Sequence, residues 1–193
     1  KKPKELSRGA VLGAGTMGAG ICWLMAKNKM YPHLVDLTFD ALEAGIKQSS
    51  QYFLSQVKRK RMTYDELHIL QSSITPQTGM KALGLCDLIV ESVVEEIEVK
   101  KELFVELEEH IKADSILASN TSSLSISEMA RDLKNPERFA GLHFFNPVPK
   151  MPLVEIVVHE KTTKETVLSL HNWCVRAKKT PIIVKDGPGF LVN

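Results

Sequence analysis

Short apolar runs alternate with longer amphipathic stretches along almost the whole chain. This alternation is typical of strand, helix, strand units whose strands pair in parallel. We therefore expect an α/β fold of the Rossmann type, with a doubly wound and mostly parallel sheet. The predicted strands cover residues 10–12, 33–35, 88–90, 116–118, 140–144, 153–158 and 182–184.

Apolar residues at helical spacing predict helices between most of these strands. Residues 41–61 and 64–70 are predicted to form a helical hairpin, inserted after the second strand, and the last helix is expected over residues 164–178. Ser125, followed three residues later by Glu128, predicts a capping box at the start of a short helix.

A glycine-rich segment lies between the first predicted strand and the first helix. Gly13, Gly15 and Gly18 form the pattern G-x-G-x-x-G, with Thr16 and Met17 inside it. In this context the first glycine permits a tight turn, the second lets a pyrophosphate approach the backbone, and the third lets helix and strand pack closely. The helix start supplies N–H groups and a positive dipole end. The segment therefore predicts a dinucleotide site, the alternative being a tight turn without a ligand.

Asp36 ends the second predicted strand, 23 residues after Gly13. A carboxylate there can accept hydrogen bonds from both hydroxyl groups of an adenosine ribose, and it would repel a 2′-phosphate. The following residues, Leu37, Thr38 and Phe39, provide no cation. We therefore expect NAD rather than NADP, against the alternative of an ordinary surface aspartate.

The composition is that of one ordinary globular domain. Of 193 residues, 44% are apolar and 25% charged, which excludes disordered, collagen-like and coiled-coil proteins. The net charge of +2 does not favour nucleic acid or an anionic membrane as a partner, and no stretch reaches the roughly 18–20 apolar residues of a membrane span. Cys22, Cys86 and Cys174 lack metal-type spacing and are expected to be buried thiols in a reducing compartment, so no metal site is predicted.

Several polar residues at predicted strand ends could take part in catalysis. His143 can accept a hydroxyl proton near neutral pH while a hydride leaves the same carbon atom. Glu155 is a lone charge in an apolar run, and burying it is costly unless it is paired. Pairing with His143 would fix the imidazole tautomer and stabilise the imidazolium. The alternative is a structural histidine. The full candidate set is Ser122, His143, Asn146, Glu155 and Asn193.

Four ordered segments closely resemble the L-3-hydroxyacyl-CoA dehydrogenase family. They are residues 13–18, 119–123, 143–148 and 186–193, so the likeness spans nearly the whole chain. Residues 151–155, Met-Pro-Leu-Val-Glu, look most like the dehydrogenase portion of multifunctional fatty-acid oxidation proteins, where it follows an enoyl-CoA hydratase region.

The resemblance implies oxidation of (S)-3-hydroxyacyl-CoA to 3-oxoacyl-CoA by NAD⁺ in fatty-acid β-oxidation. It implies that His143 is the catalytic base and Glu155 its partner, and that Ser122 and Asn193 bind the reacting oxygens of the substrate. It places Asp36 on the adenosine ribose. The residues implied at the nicotinamide half are Glu95, Lys100, Ser122 and Asn146. Without the resemblance, residues 119–123 would be interpreted as a capping loop and residues 95–100 as a solvated helix start.

Four consecutive cations, residues 58–61, lie in the predicted hairpin. Such a run is usually a solvated helix face. The functional alternative is that Lys58 and Arg59 bind phosphates of coenzyme A, which would give a nearly neutral protein a local anion site.

The family also implies limits for this chain. Residues 1–8 are expected to be a linker from a preceding region and residues 9–193 the NAD-binding domain, because the family continues into an all-helical domain that completes the cleft and mediates dimerisation. We expect a homodimer or a multienzyme complex through such regions, in bacterial cytoplasm or mitochondrial matrix. Two alternatives remain: a cofactor-binding module that is inactive alone, and a dehydrogenase of a free hydroxy acid.

Where relatives usually end the first helix at glycine, Asn28 is expected to take the left-handed position.

Overall fold

Eight strands form one sheet in the order β3-β2-β1-β4-β5-β6-β7-β8. The computed structural model describes residues 2–191, so the predicted ligand Asn193 lies outside the described residues. Every neighbouring pair is parallel except β6 with β7. The predicted fold class is therefore confirmed. The strands are β1 Gly9–Leu12, β2 His33–Val35, β3 Thr75–Gln77, β4 Leu88–Glu91, β5 Ile116–Ser119, β6 Phe139–Phe144, β7 Leu153–Val158 and β8 Thr180–Lys185.

Four of the α-helices begin at a residue whose side chain caps the first turn. Thr38, Thr63, Ser125 and Thr163 each accept a hydrogen bond from a backbone N–H of the first helical turn. The first helix differs, because it begins at Gly15, which has no side chain to cap the free N–H groups. The helices are α1 Thr16–Lys27, α2 Phe39–Lys58, α3 Tyr64–Ser72, α4 Ile97–Glu108, α5 Ile126–Met129 and α6 Lys164–Arg176, with short 3₁₀ helices at Lys81–Leu85 and Pro136–Arg138.

Two local details differ from the sequence predictions. Strand β3 was not among the predicted strands, because Thr75-Pro76-Gln77 is short and polar and proline cannot donate to a ladder; β3 is an edge strand, where proline is tolerated. The prediction for Asn28 is wrong. Lys29 takes the left-handed conformation with φ of 60°, whereas Asn28 has φ of −96° and its side-chain amide donates to the carbonyl of Leu24 at 2.8 Å.

The hydrophobic core lies on both faces of the sheet. One face is covered by α1, α2 and α6, where Trp23, Phe53 and Trp173 are buried. The other is covered by α4 and α5, where the rings of Phe104 and Phe139 meet edge to face with centroids 4.7 Å apart. Since both faces are covered, the central strands β1 and β4 are apolar runs apart from Glu91 at the end of β4, which is why they were readily predicted.

The three cysteines are free and buried. Burial raises the pKa of each thiol, to about 11 for Cys86 and about 12 for Cys174, and raises that of Cys22 as well. They are therefore packing residues and not nucleophiles.

The segment before β1 packs closely on the domain. Leu6 is 1% exposed, and the backbone N–H groups of Ser7 and Arg8 each donate to Asp87 at 3.0 Å. The assignment of residues 1–8 to an interdomain linker stays a prediction. Among residues 2–191, no helix combines the length and the apolar character needed to cross a bilayer.

Candidate active site

A cleft of about 480 Å³ opens at the carboxyl ends of β4, β5 and β6, beside the start of α1. Parallel strands present their ends at one edge of a sheet, where α/β folds bind ligands. The cleft therefore brings together residues that are far apart in the sequence. Its lining is Gly15, Thr16, Met17, Ser92, Val93, Glu95, Lys100, Asn120, Ser122, His143, Phe144, Phe145 and Asn146.

A second cleft of about 420 Å³ lies beside the ends of β1 and β2 and shares Gly15, Ser92 and Val93 with the first. Gly13 and Asp36 also line it. The rest of the lining is mostly apolar, which suits a flat ring such as adenine: Leu12, Val35, Leu37, Gly79, Met80, Ser92, Val93, Val94, Val99 and Leu103.

The three glycines of the loop have different reasons for lacking a side chain. Gly13 has φ of +94°, and a Cβ atom there would lie 2.4 Å from the carbonyl oxygen of Ser92. A Cβ atom on Gly18 would lie 1.8 Å from the carbonyl oxygen of Gly13. At Gly15, by contrast, φ is −66° and a Cβ atom would meet nothing within 4 Å. The fold thus requires the first and third glycines, whereas the second leaves open space beside free helix N–H groups, as a pyrophosphate needs.

Asp36 is held at the mouth of the second cleft. Its Oδ2 accepts a hydrogen bond from the N–H of Ala14 at 2.7 Å, and its Oδ1 accepts one from the N–H of Leu37 at 2.7 Å. Each carboxylate oxygen has a further lone pair for a hydroxyl donor. Asp36 therefore also fixes the glycine loop.

His143 and Glu155 form a buried pair. They are directly opposite each other in the antiparallel ladder of β6 and β7. The Nδ1 atom of His143 lies 2.7 Å from Oε2 of Glu155, and the two residues are 5% and 0% exposed. With an ionised carboxylate, Nδ1 must be the donor, so the lone pair is on Nε2. The rings of Phe145 and Phe190 flank the imidazole with centroids at 4.5 and 5.8 Å.

The other oxygen of Glu155 holds the loop that follows β8. Its Oε1 accepts a hydrogen bond from the N–H of Leu191 at 3.1 Å. The loop is fixed at its start by Asp186, whose carboxylate accepts hydrogen bonds from Ser125, Ile126 and Ser127 at the beginning of α5. Sequence reasoning did not single out Asp186, although it opens the Asp-Gly-Pro-Gly turn.

The loop after β5 brings Ser122 into the same cleft as His143. Ser122 is exposed there, and its N–H donates to Glu95 at 3.1 Å, while the hydroxyl of Thr121 also donates to Glu95. Asn120 joins this loop to β6 by accepting a hydrogen bond from the N–H of Phe144 at 2.9 Å. The loop is thus fixed on two sides, which is more than a helix cap requires.

Lys100 is enclosed by two carboxylates at the nicotinamide end predicted for the cleft. It is 1% exposed, forms an ion pair with the fully buried Glu91, and lies 3.2 Å from Oε2 of Glu95. Burial would raise the pKa of Glu95, but the hydrogen bonds from Thr121 and Ser122 and the charge of Lys100 lower it below its usual value.

Glu91, which pairs with Lys100 behind the cleft, is a charged residue that the sequence analysis did not single out. It directly follows the apolar run Leu88–Val90, so it is a lone charge ending a buried strand. The same signal singled out Glu155 and could have found Glu91.

Lys58 and Arg59 do not line either cleft. They are exposed at the end of α2. Their neighbours Lys60 and Arg61, together with Tyr64, line a separate hollow of about 580 Å³ at the tip of the hairpin. A role for Lys58 and Arg59 in binding coenzyme A stays a prediction.

Comparisons with known proteins point to 3-hydroxyacyl-CoA dehydrogenases or fatty-acid oxidation proteins. A family model described as 3-hydroxyacyl-CoA dehydrogenase, NAD binding domain, matches residues 9–187. The chain is 44% identical over 190 residues to the fatty acid oxidation complex subunit alpha of Idiomarina loihiensis, an alignment that covers 98% of this chain and 26% of that protein.

Solved structures give the same result. A crystal structure of 3-hydroxybutyryl-CoA dehydrogenase from Escherichia coli matches with a TM-score of 0.95 and 39% identity, covering 98% of this chain and 40% of that one. A crystal structure of (S)-3-hydroxybutyryl-CoA dehydrogenase from Ralstonia eutropha matches with a TM-score of 0.95 and 31% identity, covering 98% and 67%. The chain thus spans about a quarter of the curated relative and less than half of the Escherichia coli chain.

Proposed function

The chain belongs to the 3-hydroxyacyl-CoA dehydrogenase family, as its NAD binding domain, and we propose that it forms the NAD⁺-dependent half of an enzyme that oxidises (S)-3-hydroxyacyl-CoA to 3-oxoacyl-CoA. The observation that carries this proposal is the shared cleft. One cavity is lined both by Gly15, whose backbone is open to a ligand, and by His143, which is paired with the buried Glu155.

The proposed chemistry divides between the cofactor and the protein. NAD⁺, when bound, supplies the acceptor for the hydride that leaves C3 of the substrate. His143 accepts the C3 hydroxyl proton at Nε2, and Glu155 stabilises the imidazolium that results. Ser122 donates a hydrogen bond to the reacting oxygen, and Asn193, which lies outside the described residues, is proposed as the second oxygen ligand. The substrate thus loses one hydride and one proton and becomes a ketone.

The cofactor side of the site is proposed to use the backbone as well as side chains. Gly13, Gly15 and Gly18, with Thr16 and Met17, would hold the pyrophosphate at the start of α1. Asp36 would bind the adenosine ribose. The nicotinamide half would be bound by Glu95, Lys100, Ser122 and Asn146.

Coenzyme A is the proposed carrier of the acyl group. The net charge of +2 leaves no strong overall field, so its phosphates would need a local site. Lys58 and Arg59 at the end of α2 are proposed to contribute to it, because they are exposed there and have no competing carboxylate next to them in the sequence.

The cellular setting follows from the proposed reaction and the relatives. Three buried free thiols suit a reducing compartment, and the curated relative is a subunit of a fatty acid oxidation complex. We therefore place the protein in fatty-acid β-oxidation, in bacterial cytoplasm or mitochondrial matrix. We also infer that the chain works within a longer protein, as part of a multienzyme complex or a homodimer.

A second candidate is a module that binds NAD but has no turnover alone. It is favoured by the lengths of the relatives, because this chain spans only 40% of the Escherichia coli enzyme. In that case the residues of this chain would still bind the cofactor, and the remainder of the longer protein would close the substrate side.

Calorimetric titration with NADH, followed by acetoacetyl-CoA with absorbance recorded at the NADH band, tests these proposals. NADH binding followed by oxidation supports the dehydrogenase in the chain itself. Binding without oxidation supports the module, and turnover must then be restored in the longer protein. Failure to bind NADH overturns both. Repeating the titration with acetoacetate tests the carrier: equal turnover without the coenzyme A group favours a dehydrogenase of a free hydroxy acid.

A further inference from the structure

A carboxylate that does not line the cleft lies directly behind it. Glu91 ends β4 and is fully buried, and its nearest charged partner is the ammonium group of Lys100, which does line the cleft. A buried ammonium without a partner would be strongly disfavoured, so Glu91 is what allows Lys100 to be enclosed at that position.

Glu91 also organises the loop that carries Ser122. Its Oε2 accepts a hydrogen bond from the hydroxyl of Ser119 at 2.6 Å, and the same hydroxyl oxygen accepts one from the N–H of Thr121 at 3.2 Å. Its Oε1 accepts a further hydrogen bond from the N–H of Val93 at 2.7 Å. One carboxylate therefore joins β4, β5 and α4 behind the cleft.

The charges at this end of the cleft do not cancel. Glu91 and Glu95 carry two negative charges and Lys100 carries one positive charge, which leaves a net charge of −1. The nicotinamide ring is positively charged in NAD⁺ and neutral in NADH. A net negative charge in a partly buried site attracts the oxidised ring and has no such attraction for the reduced ring.

We propose that Glu91 is a positioning residue that holds Lys100 in the cleft and, with Glu95, makes this end of the cleft prefer NAD⁺ to NADH. The inference rests on the proposed function, because it assumes that the nicotinamide ring occupies this cleft. It concerns the relative affinity for the two redox forms, which a purely structural role of Glu91 would leave unchanged.

The test is a series of charge variants, with the dissociation constants of NAD⁺ and NADH measured by calorimetry in the longest soluble form of the protein. Glu91→Gln keeps the shape and changes the net charge from −1 to 0. Lys100→Met changes it to −2, and the double variant restores −1 while removing both buried charges. Glu98→Gln is the matched control, because Glu98 is on the same helix as Lys100, is 70% exposed and does not line the cleft.

The ratio of the dissociation constants, NAD⁺ over NADH, should follow the net charge. We expect it to rise about 3- to 10-fold in Glu91→Gln, to fall in Lys100→Met, and to return to within about 2-fold of the wild-type ratio in the double variant, even if both affinities are weaker. Glu98→Gln should leave the ratio unchanged. If Glu91→Gln does not fold, the double variant and Glu95→Gln carry the test, because Glu95→Gln also gives a net charge of 0.

The possible failures are distinguishable. A wild-type protein that binds neither redox form overturns the proposed function itself. A wild-type protein that binds both, with a ratio that does not move in Glu91→Gln or that stays shifted in the double variant, overturns the present inference and leaves the dehydrogenase proposal intact.

Discussion

The two ends of the proposed binding region are built on different physical principles. At the glycine loop, the important property is the absence of side chains: Gly13 and Gly18 avoid backbone clashes and Gly15 leaves open space. At the reaction end, the important property is paired charge: Glu155 and Glu91 are fully buried, one beside His143 and the other beside Lys100. A single added methyl group should therefore impair the glycine loop. The reaction end should instead be impaired by a substitution of similar size that removes a charge or a proton acceptor.

The largest effect is expected from His143→Gln at the reaction end. Glutamine has a similar reach but cannot accept the proton, so we expect turnover in the longer protein to fall about 10²- to 10⁴-fold. Affinity for NADH should change little, because the substitution does not alter Gly15 and Asp36, which are proposed to bind the pyrophosphate and the adenosine ribose. Steady-state kinetics and calorimetry on the same preparation provide the two values. Near-normal turnover would remove His143 as the base, and a parallel loss of NADH binding would mean that the two ends are not independent.

Alanine at two positions of the glycine loop should separate folding from binding. In Gly18→Ala the new Cβ atom would lie 1.8 Å from a backbone oxygen, so we expect a loss of about 2–3 kcal/mol of stability, measured by denaturant unfolding. In Gly15→Ala the Cβ atom meets nothing within 4 Å, so stability should change by less than about 1 kcal/mol. The Gly15 variant should nevertheless lose NADH affinity at least about tenfold, because the methyl group occupies space open to the ligand.

The outcome that contradicts this interpretation is specific. If Gly15→Ala binds NADH as tightly as the wild type, the open space at Gly15 is not where the pyrophosphate lies. Gly84→Ala serves as a control for glycine substitution in general, because Gly84 lines neither cleft, has no positive φ, and its Cβ position would meet only the carbonyl oxygen of His110, at 3.4 Å.

The smallest effect is expected at Asp186, which supports the reaction end from outside the cleft. Burial would raise the pKa of Asp186, but hydrogen bonds from Ser127, Ile126 and Ser125 hold it below its usual value. Asp186→Asn should therefore cost about 1 kcal/mol at pH 7, since the amide replaces an acceptor of charge-assisted hydrogen bonds.

The sign of the pH dependence follows from the lowered pKa. The stabilisation by the carboxylate is fully present above the unfolded pKa, about 4, and is lost as the pH falls through the lower folded pKa. The stability difference between the wild type and Asp186→Asn should thus shrink as the pH falls below about 4, as measured by urea unfolding at several pH values in that range. A difference that stays constant over this range would mean that the carboxylate charge is not the stabilising feature.

Much of the fold was predictable because its signals are local. The seven predicted strands are all present, since most of them are buried apolar runs; β8 is the partly exposed one. The exception, β3, has a proline and polar neighbours, and only its position next to β2 makes it a strand. The left-handed position after α1 was also misassigned, because Asn28 and Lys29 are adjacent and the backbone geometry of the helix end decides between them.

The sequence by itself determined the apolar periodicity, the glycine loop with Asp36, and the lone charges in apolar runs, because each is a property of residues close together in the chain. The tertiary structure decided how distant charges meet: it brings the predicted pair of His143 and Glu155 into contact and adds a pair that was not predicted, Lys100 with Glu91. The antiparallel register of β6 and β7 places Glu155 opposite His143, and the packing of α4 on the sheet places Lys100 beside Glu91. The physical reason is that a buried charge requires a partner, but the cost of burial does not specify which residue that partner is. The strand order and the register of the sheet determine which residues come into contact.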